Sequence, residues 1–249
     1  MLTLTGVAAG YHGVDVLRDV DLVVPDGASV ALLGANGAGK TTLLKVAAGV
    51  GPTLRAGTVA LGGCRIDGLP AHTRARLGLC LVPEGRGIFR KLSVRENLEL
   101  FVTGATGPRL AAGPAHDVEG AVARFTDAFP MLGPFLDHRA GALSGGQQQM
   151  LAVGRALITD ASAVLADELS VGLAPVVVDE IFAVMRRMQA EGRSLLIVEQ
   201  YIDRVLDAVD YVYILHKGRI AFVGEPEQCR GSAVFDRYLG THPSERTAS

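Results

Sequence analysis

The stretch Gly34-Ala35-Asn36-Gly37-Ala38-Gly39-Lys40-Thr41-Thr42 decides the fold of this chain. It follows an apolar run from Ser29 to Leu33 that reads as a strand. It opens a segment from Lys40 to about Ala48 that predicts a helix ended by Gly49. A glycine-rich turn between a strand and a helix lets backbone N–H groups converge on phosphate oxygens, and the helix N-terminus adds its positive dipole end. The stretch therefore predicts a phosphate-binding loop.

Different residues of this loop bind different parts of a nucleoside triphosphate. Lys40 supplies a mobile cation to the β- and γ-phosphates, and the Thr41 hydroxyl can ligate Mg²⁺. The backbone of the remaining loop residues, from Gly34 to Thr42, surrounds the phosphates. A glycine-rich turn with a chance lysine is the alternative, and the strand-to-helix context counts against it.

Two acids close a later apolar strand, which runs from Ala163 to Ala166. Asp167 at the strand tip can hold Mg²⁺, usually through water, and Glu168 can orient or deprotonate an attacking water. Taken alone, an acidic pair of this kind is more often a turn or a helix cap. Beside a phosphate-binding loop it predicts ATP hydrolysis, with Lys40 and Glu168 as catalytic residues.

A second helix N-terminus is encoded by Leu143-Ser144-Gly145-Gly146-Gln147. Ser144 is the predicted N-cap, and the two glycines leave backbone N–H groups open to an anion. A nucleotide already held by Lys40 does not need a second phosphate cradle from the same molecule. We therefore expect Ser144, Gly145, Gly146 and Gln147 to serve the nucleotide of a partner subunit.

The order of predicted elements favours an α/β fold with a mostly parallel sheet covered by helices. The first 35 residues read as short strands, and residues 87–159 read as a helical block. We expect a single domain over residues 1–240, with its core in about 1–86 and 160–240, a helical lobe in about 87–159 and a polar tail in 241–249. The predicted helices are Val94–Val102, Val118–Phe129, Ser144–Ile158 and Val176–Gln189. Further predicted strands are Leu79–Val82, Ser194–Val198 and Tyr211–Leu215.

Composition excludes several classes of protein. The formal net charge of −2, from 24 basic and 26 acidic residues, does not indicate a nucleic-acid binder. Hydrophobic residues make up 49% of the chain, enough for a sizeable core, yet no run approaches the roughly 18 apolar residues of a membrane-spanning helix. The N-terminus does not have a signal-peptide layout, and Cys64, Cys80 and Cys229 lack metal-ligand spacing, which suits reduced thiols in the cytosol.

Together these motifs resemble the nucleotide-binding subunits of ABC transporters over essentially the whole chain. The resemblance implies a RecA-like P-loop NTPase core with an N-terminal antiparallel β subdomain and an inserted helical lobe carrying the signature Leu143–Gln147. It also implies ATP and Mg²⁺ as cofactors. Tyr11 matches the aromatic residue that stacks on adenine in that family.

The finer resemblance is to the shorter of the two ATPases in branched-chain amino acid uptake systems. Pro83-Glu84-Gly85-Arg86-Gly87-Ile88-Phe89, Gly172-Leu173-Ala174-Pro175 and Val198-Glu199-Gln200 match it. Glu84 replaces the usual Q-loop glutamine and is expected to act through metal or water. Gln200 replaces the switch histidine and is expected to contact the γ-phosphate. Leu169 replaces the proline that usually follows the catalytic glutamate, which should alter the stiffness of the loop.

This resemblance implies partners that the chain does not contain. They are a second ABC ATPase subunit, two integral membrane permease subunits and, indirectly, an extracytoplasmic solute-binding protein, with the ATPase at the cytoplasmic face of the membrane. We expect the surface from Glu84 to Leu92 to transmit closure to the permease, with Phe89 either contacting a partner helix or packing in the core. The alternatives are the ATPase of a lipid or lipopolysaccharide exporter and a soluble ABC ATPase of translation or DNA repair.

Overall fold

The computed structural model describes residues 1–104, 117–159, 161–199 and 202–230, without the side chain of Asp203. The tail expected at 241–249 lies outside these residues. The strands are β1 Leu2–Tyr11, β2 Val14–Val24, β3 Ser29–Leu33, β4 Thr53–Leu61, β5 Cys64–Arg65, β6 Leu79–Val82, β7 Ala163–Asp167, β8 Ser194–Val198, β9 Tyr211–His216 and β10 Arg219–Gly224. The helices are α1 Lys40–Ala48, α2 Ala71–Arg76, α3 Val94–Gly104, α4 Val118–Ala128, α5 Gly145–Ile158, α6 Pro175–Ala190, α7 Ile202–Leu206 and α8 Pro226–Cys229.

A six-stranded sheet in the order β10-β9-β3-β8-β7-β6 forms the centre of the protein. Its strands are parallel except for β10, which pairs antiparallel with β9. Both faces of the sheet are covered, because alternate residues of β3 enter different hydrophobic clusters. Ala31 and Leu33 pack with the helices α3 to α6, whereas Val30 and Leu32 pack with α1 and the second sheet. This confirms the predicted α/β class and explains why β3 is apolar at every position after Ser29.

A four-stranded antiparallel sheet in the order β2-β1-β4-β5 covers the other side of α1. The sequence predicts short strands in this region, and that prediction is wrong in length: β1 has 10 residues and β2 has 11. Gly6, with φ 58°, lies where the pairing register of β1 shifts, so the strand continues through a bulge instead of ending. The predictions also miss β4, β5, β10, α2, α7 and α8.

Helices α3, α4 and α5 pack against one another, and α4 carries a buried aromatic pair at its end. Phe125 and Phe129 are fully buried, with ring centroids 5.6 Å apart. Gly154 permits α5 to approach Phe125 of α4 closely, because a Cβ at Gly154 would lie 2.3 Å from the Phe125 ring. The predicted ends of these helices are within two residues of those observed. Within the described part of the chain, every helix is too short or too polar to cross a bilayer.

Candidate nucleotide site

The candidate site lies at one edge of the central sheet, where four parallel strands end. The carboxyl ends of β3, β6, β7 and β8 lead into Gly34, Pro83-Glu84, Asp167-Glu168 and Glu199. In open α/β sheets such an edge is where ligands bind, because loops from several strands converge there. Residues that are far apart in the sequence are thereby brought into one place.

The phosphate-binding loop has the backbone conformation that its glycines allow. A Cβ at Gly34 would lie 2.3 Å from the Leu215 oxygen, and one at Gly39, where φ is 110°, would lie 2.9 Å from Leu17. Lys40 is only 5% exposed and its Nζ donates hydrogen bonds to the Gly34 and Ala35 oxygens at 2.8 and 3.2 Å. Burial lowers the pKa of Lys40, an effect that the charges of Glu168 and Asp167 oppose. The lysine therefore lies inside the loop with its charge near both acids.

A cavity of about 420 Å³ opens over this loop. It brings together most of the predicted site residues, and its lining is Val16, Asn36, Gly37, Gly39, Lys40, Thr41, Thr42, Glu84 and Glu168. Ala38 is buried within the loop and its oxygen accepts a hydrogen bond from Gly218 N at 3.0 Å. Val16 is a lining residue that the sequence analysis misses. A valine in a strand carries no chemical signal, and only the fold places it here.

Thr41 and Asp167 form the part of the site suited to a metal ion. The Thr41 Oγ1 donates a hydrogen bond to Asp167 Oδ1 at 3.1 Å, and Asp167 is 2% exposed. Burial raises the pKa of Asp167 to about 6; the Thr41 hydrogen bond opposes the rise, and the neighbouring charges of Glu168 and Glu84 add to it. The Asp167 carboxylate and the Thr41 hydroxyl are oxygen ligands of the kind that Mg²⁺ prefers, and a cation would offset the charges of Glu168 and Glu84 that raise the pKa of Asp167. The residues present therefore fit Mg²⁺.

Glu168 lines the cavity in an unusual backbone conformation. Its φ is 49°, in the left-handed region that non-glycine residues rarely occupy, and its N–H donates to the Val198 oxygen at 2.8 Å. The loop after Glu168 is held in place by Ser170. The buried Glu199 carboxylate accepts hydrogen bonds from the Ser170 N–H at 3.0 Å and from the Ser170 hydroxyl. Leu169, the residue in place of proline, is 2% exposed and packs in the core. The loop after Glu168 is thus held by burial and hydrogen bonds.

Tyr11, the predicted adenine contact, is not part of this cavity lining. Tyr11 lies at the end of β1, where its ring faces Gly51 in the loop after α1, with Cε1 3.9 Å from the position of a Cβ at Gly51. Gln200, the predicted switch residue, lies outside the described residues. Its neighbour Glu199 is placed at the same sheet edge, directly after β8.

The signature forms a well-capped helix start. Ser144 Oγ accepts a hydrogen bond from Gln147 N at 3.3 Å, and Gln147 Oε1 accepts one from Ser144 N at 2.9 Å. This reciprocal capping box satisfies both ends of the first turn. Ser144, Gly145, Gly146 and Gln147 are all described, and none of them lines the cavity above the phosphate-binding loop.

The fold and this site define a P-loop ATPase with a capped signature helix away from its own phosphate-binding loop. The family model described as ABC transporter matches residues 17–171, which is more than half of the chain. The chain belongs to the ABC transporter family and is an ATP-binding, ATP-hydrolysing subunit.

Individual relatives cover nearly all of the chain. It is 38% identical, over 96% of its length and 100% of the relative, to the high-affinity branched-chain amino acid transport ATP-binding protein BraG of Pseudomonas aeruginosa. It is 32% identical, over 96% of its length and 97% of the relative, to the lipopolysaccharide export system ATP-binding protein LptB of Escherichia coli. A solved ATP-binding subunit of an ABC transporter superposes with a TM-score of 0.82 at 26% identity, covering 96% of this chain and 98% of that one.

Proposed function

We propose that this protein powers the import of branched-chain or other hydrophobic amino acids through separate permease subunits. The observation that carries the proposal is Glu84, which lines the nucleotide cavity together with Glu168. Most ABC ATPases have a glutamine at this position, whereas the sequence around Glu84 matches the ATPases of branched-chain amino acid uptake. The higher identity to a branched-chain amino acid ATPase than to a lipopolysaccharide export ATPase supports the same substrate class. Lipopolysaccharide or lipid export is the second candidate, supported by the relative of that function.

In the proposed reaction each residue acts on the triphosphate or on water. Lys40 and the loop N–H groups bind the β- and γ-phosphates, while Thr41 and Asp167 hold Mg²⁺, with Glu84 contributing through water. Bound Mg²⁺ neutralises charge on the phosphates. Glu168 accepts a proton from the attacking water, and its fixed backbone aims the carboxylate into the cavity. Gln200 contacts the γ-phosphate and holds the same water in place.

The signature is proposed to complete the site of a second ATPase subunit. Two nucleotides would lie between two subunits, each held by the phosphate-binding loop of one subunit and the signature of the other. The separation of Ser144–Gln147 from the cavity of the same chain supports this arrangement. Residues 87–159 are then the lobe that carries the signature, and ATP binding closes the pair.

Closure is proposed to reach the permease through an apolar groove beside Glu84. The groove has a volume of about 440 Å³, and its lining includes Val50, Leu81, Phe89, Leu100 and Phe101. Phe89 is 51% exposed although its ring lies 6.3 Å from that of Phe101, so it is not a core residue. A short apolar helix of a permease subunit would fill this groove and cover Phe89. Such docking places the ATPase at the cytoplasmic face of the membrane.

The dimer arrangement is tested with Ser144→Asp in a Glu168→Gln background, which prevents hydrolysis. Aspartate is a good N-cap, so the helix start is preserved while a carboxylate faces the partner's phosphates. We expect ATP binding by the monomer to be unchanged and the ATP-driven dimer to be lost in sedimentation analysis. Ser93→Asp is the matched control, because Ser93 caps α3 through the Glu96 N–H at 3.1 Å outside the signature. A normal dimer of the Ser144→Asp protein would contradict the arrangement.

The substrate class is tested separately in the transporter reconstituted with its permeases and binding protein. We expect leucine, isoleucine or valine, delivered by the binding protein, to stimulate ATP hydrolysis. Stimulation by lipid or lipopolysaccharide in place of amino acids would support the export candidate and overturn the import proposal.

A further inference from the structure

Arg86 has a strained backbone in the segment that carries Glu84. Its φ is 67°, and it stands between Gly85 and Gly87 in a turn closed by a hydrogen bond from Arg86 N to the Pro83 oxygen at 2.9 Å. A left-handed conformation at a side chain as large as arginine is unfavourable and persists only where the surroundings hold it. The side-chain contacts of Arg86 therefore need an explanation.

These contacts lead to the signature helix. The Arg86 Nη1 donates a hydrogen bond to Gln148 Oε1 at 2.7 Å. Gln148 is only 4% exposed, and its Nε2 donates to the Leu143 oxygen at 2.9 Å, so the acceptor is fixed at the start of α5. The Arg86 Nη2 lies over Gly145, 3.1 Å from the position that a Cβ would occupy there. The guanidinium thus rests on the first turn of α5.

The position of this charge is electrostatically unfavourable in the absence of an anion. A helix N-terminus carries partial positive charge, so a cation beside it does not stabilise the isolated helix. The contact becomes favourable once the phosphates of a second subunit approach Gly145 and Gly146. Glu84, two residues before Arg86, lines the cavity of the chain's own nucleotide. The turn from Pro83 to Gly87 therefore connects the subunit's own nucleotide cavity to the signature helix, which is proposed to contact the nucleotide of the second subunit.

We infer that Arg86 is a positioning residue that ties the Glu84 segment to the signature helix of the same subunit. The inference rests on the proposed function, because it requires the signature to face a second subunit's nucleotide. Arg86 holds the first turn of α5 in the orientation that receives those phosphates. A shift of Glu84 on binding Mg²⁺ and ATP is passed through Arg86 to Gln148, so one site influences the opposite one.

The test measures an ATP-binding constant and a dimer dissociation constant in the Glu168→Gln background. It uses the full chain as a homodimer or together with the second ABC ATPase subunit. Arg86→Gly removes the guanidinium and relieves the left-handed backbone, and Arg86→Lys keeps the charge without the planar fork. Arg90→Ala is the matched control, since Arg90 is an exposed cation of the same segment. One measurement is the affinity of the monomer for a fluorescent ATP analogue, and the other is the dimer dissociation constant at saturating ATP.

We expect Arg86→Gly to leave the affinity of the monomer within about twofold and to weaken the dimer about tenfold or more, the scale of one lost charged hydrogen bond. Arg86→Lys should recover part of the loss, and Arg90→Ala should resemble the parent. A lower melting temperature together with weaker monomer binding in Arg86→Gly would mean a structural role and would overturn the inference. If Ser144→Asp abolishes the dimer and Arg86→Gly does not, the inference alone fails. If Ser144→Asp forms a normal dimer, the proposed dimer arrangement fails and the inference fails with it.

Discussion

Replacing Asp167 with asparagine should stabilise the nucleotide-free protein while destroying its hydrolytic activity. The Asp167 carboxyl is 2% exposed, and burial raises its pKa from 3.8 to about 6. Because the folded state binds this proton more tightly than the unfolded state, protonated Asp167 favours folding. That contribution is fully present below pH 3.8 and is lost as pH rises to about 6. Above pH 6 the folded protein therefore carries a destabilising carboxylate.

The magnitude follows from the size of this rise in pKa. At about 1.4 kcal/mol per pH unit, removing the buried charge gains at most about 3 kcal/mol, and the amide N–H groups that asparagine must bury reduce the gain to about 1 to 2 kcal/mol. Asparagine keeps the Oδ1 that accepts the hydrogen bond from Thr41 and has no charge to bury. We expect Asp167→Asn to melt roughly 2 to 8 °C higher than the wild type at pH 7.5, in EDTA and without nucleotide.

The assay is thermal or urea unfolding of both proteins at several pH values from 4.5 to 8. The difference in the free energy of unfolding should grow between about pH 4 and 6 and stay constant above that range. Asp137→Asn serves as the control, because the Asp137 side chain is 92% exposed. Mg²⁺ with ATP should stabilise the wild type more than the variant, since the ion binds only the native carboxylate well. A stability difference that does not change with pH, or a less stable variant at pH 7.5, would refute the reasoning.

Two further predictions concern the phosphate contacts. Lys40→Ala should abolish tight ATP binding, because the γ-phosphate loses its main cationic partner; near-unchanged affinity for a fluorescent ATP analogue would contradict the assignment. Gln200→Ala should lower turnover of the assembled transporter roughly ten- to a thousandfold, the range for one lost transition-state donor. Gln200→His should lower it less and should add a step near pH 6.5 to the rate profile, because only histidine titrates there. Wild-type turnover in Gln200→Ala would show that another residue is the switch.

Much of the fold could be predicted because its signals are local. The loop from Gly34 to Thr42 needs only its own glycines and the flanking apolar strand to adopt its conformation, so its position is readable within a dozen residues. The start of α5 is equally local, since Ser144 and Gln147 cap each other within one turn. By contrast, the lengths of β1 and β2 depend on bulges at which Gly6 in β1 and Asp19 in β2 have positive φ, and a glycine in the sequence is easily read as a strand end.

The sequence by itself determined the class of chemistry: a triphosphate cradle, an acidic strand end and a second capped helix of the ABC type. The tertiary structure alone decided which of these groups meet. Thr41 and Asp167 are 126 residues apart, and Arg86 and Gln148 are 62 apart, yet both pairs are hydrogen-bonded. Such contacts depend on the order and register of strands in the sheet, which short-range periodicity does not encode. The same holds for the pKa of Asp167, because burial and the neighbouring acids that raise it come from separate segments brought together by the parallel strand ends.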